Sequence, residues 1–378
     1  MPTPFSGAAA SDATAVPWYS PGASTVWSLR KVVFGRPANS GCVGSTSTYM
    51  TVFPTGTAQP GTSNINTPAG RDIANLVTVA LGQQMGFSVY NDSGNHDLVV
   101  DVDGYYDATA GNDGLFHPLA APERACDTRK GYPSTCNTSG AGDPLGPGES
   151  RLITVALGGA GIPTTNAEAA VLNVTASGGT TSTYLTFYPP QGPQTCGSPP
   201  VGSNLNVPAN TDEPNRAIVP INQSSGTICV FNAGGTVNVI VDANGWYGTA
   251  ADTGGAKFQA IGPTRVCDTR AWDGTACAGH SIASWTTLKV LVAGVGGLPA
   301  SGMVAVLANA TAVSPSAPTY VTVFPDGRPY PNTSDLNAPA NVNIANLVIV
   351  GVPGDGQVDV TNVNGTVDFL LDASGWFQ

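Results

Sequence analysis

The chain has 378 residues, of which 10% are charged, 47 are glycine and 31 are proline, and its net charge is −11. Ordinary soluble domains carry about 25% charged residues, and helices need proline-free interiors, so a mainly helical fold is excluded. The 41% of hydrophobic residues cluster in short runs, which argues against disorder and for a β-rich, loop-rich globular chain.

The acidic balance and four scattered lysines (Lys31, Lys130, Lys257, Lys289) exclude a nucleic-acid partner, because phosphate binding needs clustered cations. No apolar run approaches the roughly 18 residues of a membrane span, so no membrane insertion is expected. Residues 1–28 lack a basic start followed by an apolar segment, so no secretory leader is expected.

In chain order, the first strand signal covers 27–34, and Cys42 follows it. Thr48-Tyr-Met-Thr-Val-Phe-Pro54 then opens a pattern that returns twice, as Thr183-Tyr-Leu-Thr-Phe-Tyr-Pro189 and Thr319-Tyr-Val-Thr-Val-Phe-Pro325. Each copy is followed by a Ser-Asn/Asp-x-Asn element starting at Ser63, Ser203 or Ser334. Next comes an asparagine leading an apolar strand, at Asn75, Asn215 and Asn346. An Asp-x-x-Gly-aromatic-aromatic motif closes each copy, at 101–106, 242–247 and 372–377. Four ordered matches in three copies define a repeat of domain size. The units are 1–107, 114–248 and 256–378, joined by short Gly/Ala/Asp/Thr linkers, and the first is degenerate or incomplete. Short Val-, Ile-, Thr- and Tyr-rich segments between Gly, Pro, Asn and Ser clusters predict strands. The expected fold is therefore all-β, three tandem antiparallel sandwich domains of jelly-roll or barrel-like type with essentially no helix.

Units two and three open with Arg124-Ala-Cys-Asp-Thr-Arg129 and Arg265-Val-Cys-Asp-Thr-Arg270, an opening that unit one lacks. It is then either a degenerate cap or a unit whose opening strands come from elsewhere.

These motifs resemble a tandem repeat of actinobacterial secreted and surface proteins and of the structural proteins of their phages. The resemblance covers about 120–378 well and 48–107 in part. It departs at the missing opening of unit one and at Ser334-Asp335, where the other copies read Ser-Asn. It implies a β domain that accompanies many catalytic domains and brings no catalytic residues of its own.

Cys126 and Cys136 share their spacing and place with Cys267 and Cys277, which predicts a local disulfide in each unit. Cys196 and Cys229, both inside unit two, suit a third. Cys42 is left over, either buried and reduced or intermolecular. No metal is expected, since the close cysteine spacing of zinc sites is absent and His96, His117 and His280 sit beside no cysteine pair.

The recurrent charges are the closing aspartates (Asp101, Asp242, Asp372) and the arginines Arg129 and Arg270. They are expected to form one structural pair per unit, Arg129 with Asp242 and Arg270 with Asp372, tying first strand to last. The stapled loops offer ligand-binding candidates in Tyr132 and Trp272, each an aromatic beside Arg129 or Arg270 that could stack on a sugar. Tyr105, Trp246 and Trp376 are expected to serve packing. No Gly-x-Ser-x-Gly, His-Glu-x-x-His or Walker sequence occurs, and no cofactor is expected.

Three readings follow. The first is a non-enzymatic display protein of a virion (fibre, spike or decoration component) or bacterial surface, whose partners are other subunits or further copies head to tail. The second is a glycan- or envelope-binding adhesion module, and the third, ranked last, a cell-wall hydrolase. Either of the first two places the chain outside the cell.

Overall fold

The computed structural model describes residues 26–33 as backbone, and 46–107, 111, 114–131, 136, 142–158, 161–272 and 274–378 in full. Cys42 and Tyr132 lie outside the described residues.

Repeat one holds β1 (Val26–Val33), β2 (Thr48–Pro54), β3 (Ile65–Thr67), β4 (Ala74–Ala80), β5 (Phe87–Asn91) and β6 (Val99–Tyr106). Repeat two holds β7 (Phe116–Asp127), β8 (Ser150–Thr154), β9 (Ala167–Ser177), β10 (Thr183–Tyr188), β11 (Leu205–Val207), β12 (Asp212–Pro220), β13 (Thr227–Asn232) and β14 (Asn238–Gly248). Repeat three holds β15 (Phe258–Asp268), β16 (Thr286–Leu291), β17 (Ala305–Val313), β18 (Thr319–Pro325), β19 (Leu336–Ala338), β20 (Ile344–Gly351), β21 (Gln357–Asn362) and β22 (Asp368–Phe377). The fold is all-β; among the described residues the one helical element is the 3-10 turn Gln83–Met85.

Six small antiparallel sheets result, and none mixes strands from two repeats. Each repeat contributes an inner sheet: β4-β1-β6, β12-β9-β14-β7 and β20-β17-β22-β15. Each also contributes an outer sheet: β3-β2-β5, β11-β10-β13-β8 and β19-β18-β21-β16. Apolar side chains fill the space between the two sheets of a repeat, for example Leu172, Phe187 and Val230 in repeat two and Leu371, Val323 and Phe369 in repeat three. Among the inner strands, β12 and β20 are buried on both faces, as their near-continuous burial shows.

The second face of the inner sheets corrects the expectation of three tandem, self-contained sandwich domains. The inner sheets meet like blades on a shared core that takes Leu76 from repeat one, Phe116, Val171 and Tyr247 from repeat two, and Leu307, Leu347 and Phe377 from repeat three. The last aromatic of each closing motif reaches this centre: Tyr106, Tyr247 and Phe377 form a triangle with ring centroids 6.0, 6.2 and 6.4 Å apart. The physical reason is that a sheet apolar on both sides must bury both. The start of repeat three is also pinned just after the second expected linker, because Ala256 exchanges two backbone hydrogen bonds with Phe116 and Lys257 two with Gln378.

Among the described residues, repeat one keeps the same order with one strand fewer in each sheet. β1 occupies the place of β9 and β17, pairing with both β4 and β6. Among the described residues nothing stands beside β6 where β7 stands beside β14, or beside β5 where β8 stands beside β13. The closing glycine reports the same difference. A methyl group at Gly245 would come within 2.5 Å of the Phe116 ring, and one at Gly375 within 2.4 Å of Phe258, so the opening strand requires glycine there. At Gly104 such a group would meet nothing within 4 Å.

Candidate functional site

The opening motif lies on β7 and β15 beside the closing motif on β14 and β22. Register then selects the ion pairs: Arg124 lies opposite Asp242, and Arg265 opposite Asp372. This corrects the expected pairs, since each closing aspartate takes the first arginine of the opening motif and not Arg129 or Arg270. Arg265 grips Asp372 at both carboxylate oxygens, 2.8 Å from Nε and 3.0 Å from Nη2, and reaches Asp268 at 3.0 Å. Arg124 also bridges Asp242 and Asp127, but it meets Asp242 through Nε at Oδ1 alone, while its Nη2 donates to the Asn332 carbonyl at 3.3 Å. Arg270 folds back onto Asp268, with Nε 2.9 Å from Oδ1, and Arg129 does the same on Asp127, at 3.0 Å. The strand bulges just after Arg265, and Arg270 and Arg129 lie beyond the ends of β15 and β7, past the residues that register with the closing aspartates.

Burial pushes the Asp242 carboxyl up to about 6 against the pull of Arg124, and pushes Asp372 up against Arg265. Asp268 is lowered despite its burial, by its hydrogen bonds with Arg270 and by the charges of Arg270 and Arg265. Asp101 falls opposite Lys31 in the β1–β6 register.

The three disulfides are Cys126–Cys136, Cys196–Cys229 and Cys267–Cys277. The last closes the loop that carries Trp272, and Thr275 bonds back to the Asp268 carbonyl at 3.0 Å. Trp272 is 79% exposed, with the Arg270 guanidinium 5.4 Å from its ring centroid. Asp268, Arg270 and Trp272 therefore form a braced, solvent-facing stacking surface, while Trp246 and Trp376 pack against the cores of their repeats. Tyr105 is 58% exposed, on β6, beside which no opening strand stands among the described residues.

The asparagine that leads each apolar strand was legible as a recurrence but not as a contact. Asn215 Oδ1 accepts the Leu76 N–H (3.2 Å), Asn75 Oδ1 accepts the Leu347 N–H (3.1 Å), and Asn346 Oδ1 accepts the Arg216 N–H (3.0 Å). The three bonds close a ring in which every repeat reads the next. The Nδ2 groups of the same asparagines hold the Ser-Asn/Asp element of their own repeat, at the carbonyls of Asn64, Asn204 and Asp335.

Two departures from threefold repetition meet at the seam of repeats two and three. Arg216 stands where the other copies have Leu76 and Leu347, and Asp335 where they have Asn64 and Asn204. Arg216 is fully buried, with Nη2 2.6 Å from Asp335 Oδ1 and Nε 3.0 Å from the Leu347 carbonyl. Burial pushes the Asp335 carboxyl up and the Arg216 guanidinium down, and their mutual attraction opposes both shifts. The departure at Asp335 is thus the signal that could have located its partner.

Among the described residues no group of three or more His, Cys, Asp or Glu side chains is placed to hold a metal ion. No family model matches the chain, and no curated protein matches it. Among solved structures it is similar to a chain described under "Life in the extremes: atomic structure of Sulfolobus Turreted Icosahedral Virus", at 11% identity over 94% of this chain and 79% of that one. The TM-score of 0.17 is too low to establish a common fold.

Proposed function

We propose that the chain is a non-enzymatic structural protein that displays its repeats on a virion or a bacterial cell surface, as the actinobacterial and phage proteins its motifs resemble do. The supporting observation is the fate of its recurrent polar groups. The ions of repeats two and three sit in cross-strand pairs and the three asparagines in the inter-repeat ring, so the groups that chemistry would use hold the body together. Three disulfides suit an oxidising exterior. No helix among the described residues is long and apolar enough to cross a membrane. Partners in this reading are other surface subunits, a further copy of the chain docked head to tail among them. Mass spectrometry of purified particles and of proteins shaved from the source cells tests it; absence from both overturns it. Release of soluble fragments from cell-wall polymer by the purified protein would overturn the non-enzymatic part.

A second reading, adhesion to envelope glycan, is favoured by the braced exposure of Trp272. Trp272→Ala is expected to reduce binding to whole cell-wall preparations at least about fivefold, since aromatic contacts of this kind are worth about 1 kcal/mol or more. Retention in a pull-down equal to wild type defeats it.

A further inference from the structure

Repeats one and three meet along a groove of about 390 Å³, within the range of about 300–1,000 Å³ typical of small-ligand sites. Tyr49, Thr67 and Asp92 of repeat one line one side, and Ser314, Asn341 and Asn343 of repeat three the other. From this groove we infer a binding site for a neutral saccharide, distinct from the Trp272 loop and independent of the display reading.

Comparison with the other repeats separates this groove from ordinary surface. Thr67 is the strand partner of Thr48; Val207 holds that place opposite Thr183, and Ala338 opposite Thr319. Asp92 donates its backbone N–H to the Tyr49 carbonyl, as Ala233 does to Tyr184 and Val363 to Tyr320. The two positions that are apolar in both other repeats are therefore a hydroxyl and a carboxylate here. Thr67 is 2% exposed, and among the described residues its hydroxyl has no hydrogen-bond partner. A buried hydroxyl without a partner costs stability, so packing alone does not account for a threonine at this lining position.

The remaining chemistry selects the ligand class. Among the described residues that line the groove none is a lysine or arginine and one is a carboxylate, so an anion is disfavoured. Asp92 accepts from Tyr90 and Ser93 at long range, 3.3 and 3.4 Å, and also pairs with the Tyr49 hydroxyl, which leaves part of its acceptor capacity for ligand hydroxyls. Across the groove the Asn343 carbonyl oxygen accepts the Ser314 N–H at 2.9 Å, so its side-chain NH₂ is the donor left to offer. The half-buried Tyr49 ring, 6.1 Å from Tyr90, adds an apolar aromatic surface of the kind a sugar's C–H face stacks on. Alternating donors and acceptors beside an aromatic face match a polyhydroxylated ring.

Saturation-transfer NMR and calorimetry of the full chain against a panel of neutral disaccharides (cellobiose, maltose, lactose, trehalose, chitobiose) test the proposal. At least one is expected to bind at about millimolar strength or better. Asp92→Ala and Thr67→Val place residues that repeat two already carries at the same positions (Ala233, Val207), so both variants are expected to fold. Asp92→Ala is expected to weaken binding at least about tenfold with an unfolding midpoint near wild type, and Thr67→Val to raise the midpoint by removing a buried hydroxyl without a partner. Trp272→Ala is expected to leave this binding unchanged. Failure of the whole panel to bind, binding unaffected by Asp92→Ala, or binding lost with Trp272→Ala would each overturn the assignment to the groove, whatever the fate of the display reading.

Discussion

Repeats two and three use eight strands in one order, yet they tie the same outer corner with unlike chemistry. In repeat two, Cys229 lies opposite Tyr188 and is bonded to Cys196. In repeat three that place, opposite Phe324, holds Asp359, packed with Asp326 and Lys289. Repeat one uses a hydroxyl pair, Thr55 with Ser88 at 3.2 Å. A covalent bond, an ionic cluster and a neutral hydrogen bond thus serve one position. The shared strand order therefore rests on apolar pattern and register, and the corner adds stability. The inter-repeat seams differ in the other direction: the asparagine ring is common to all three, whereas the seam of repeats two and three carries the fully buried pair Arg216–Asp335 and that of repeats one and two a partly buried pair, Arg71–Glu213.

The seam of repeats two and three gives the largest expected effect. Asp335→Ala leaves Arg216 charged and buried without its counter-ion, and should cost about 3–5 kcal/mol in denaturant unfolding. The double variant Arg216→Leu with Asp335→Asn writes the residues of the other repeats into the seam, and should recover most of that loss. A double variant as unstable as the single would show that the departures from symmetry do not compensate each other.

Removal of the Cys196–Cys229 disulfide by paired serine substitution comes next. A bond closing a separation of 33 residues is expected to contribute about 3 kcal/mol. Chemical denaturation at pH 7 measures the loss. If it is no larger than that of Thr55→Ala, the covalent corner gives repeat two no advantage over the hydroxyl corner of repeat one.

The smallest effect sharpens the same comparison through pH. Burial first, and the neighbouring Asp326 second, raise the Asp359 carboxyl to about 6. Asp326 is lowered, foremost by a hydrogen bond with Asp355 and then by Lys289. Because the folded state holds the Asp359 proton more tightly than the unfolded chain, this residue's contribution to stability is undiminished below about pH 4. It falls as pH rises toward about 6. Asp359→Asn should flatten that fall by less than about 1 kcal/mol, since the cluster opens to solvent. Asp242 contributes a fall of the same sign in both proteins, so the difference between variant and wild type isolates Asp359. An unchanged pH profile would remove the ionic account of this corner.

Strand positions were legible in the chain because a strand's signal is local: alternation, β-branched residues and turn-forming glycine or asparagine lie within a few residues of each other. The repeat and its missing opening in unit one were equally open to reading. The ion pairs were half legible. That Asp242 and Asp372 bind arginine was readable from their recurrence. That the partners are Arg124 and Arg265 depended on a bulge and a register that composition does not record. The candidate site behaved similarly: Trp272 was readable as an aromatic on a stapled loop, whereas the Thr67–Asp92 groove exists only because repeat three lies against repeat one.

The sequence by itself determined an all-β chain of three related units, the likeness among them and the residues that depart from it. Only the tertiary structure decided that the inner sheets share one core and that Asn75, Asn215 and Asn346 close a ring. It also decided that Arg216 meets Asp335 across 119 residues. The physical reason is the range of the interactions. Pleat and turn are set by neighbours along the chain, while a seam between repeats is set by which buried polar groups can satisfy one another once the apolar faces have met.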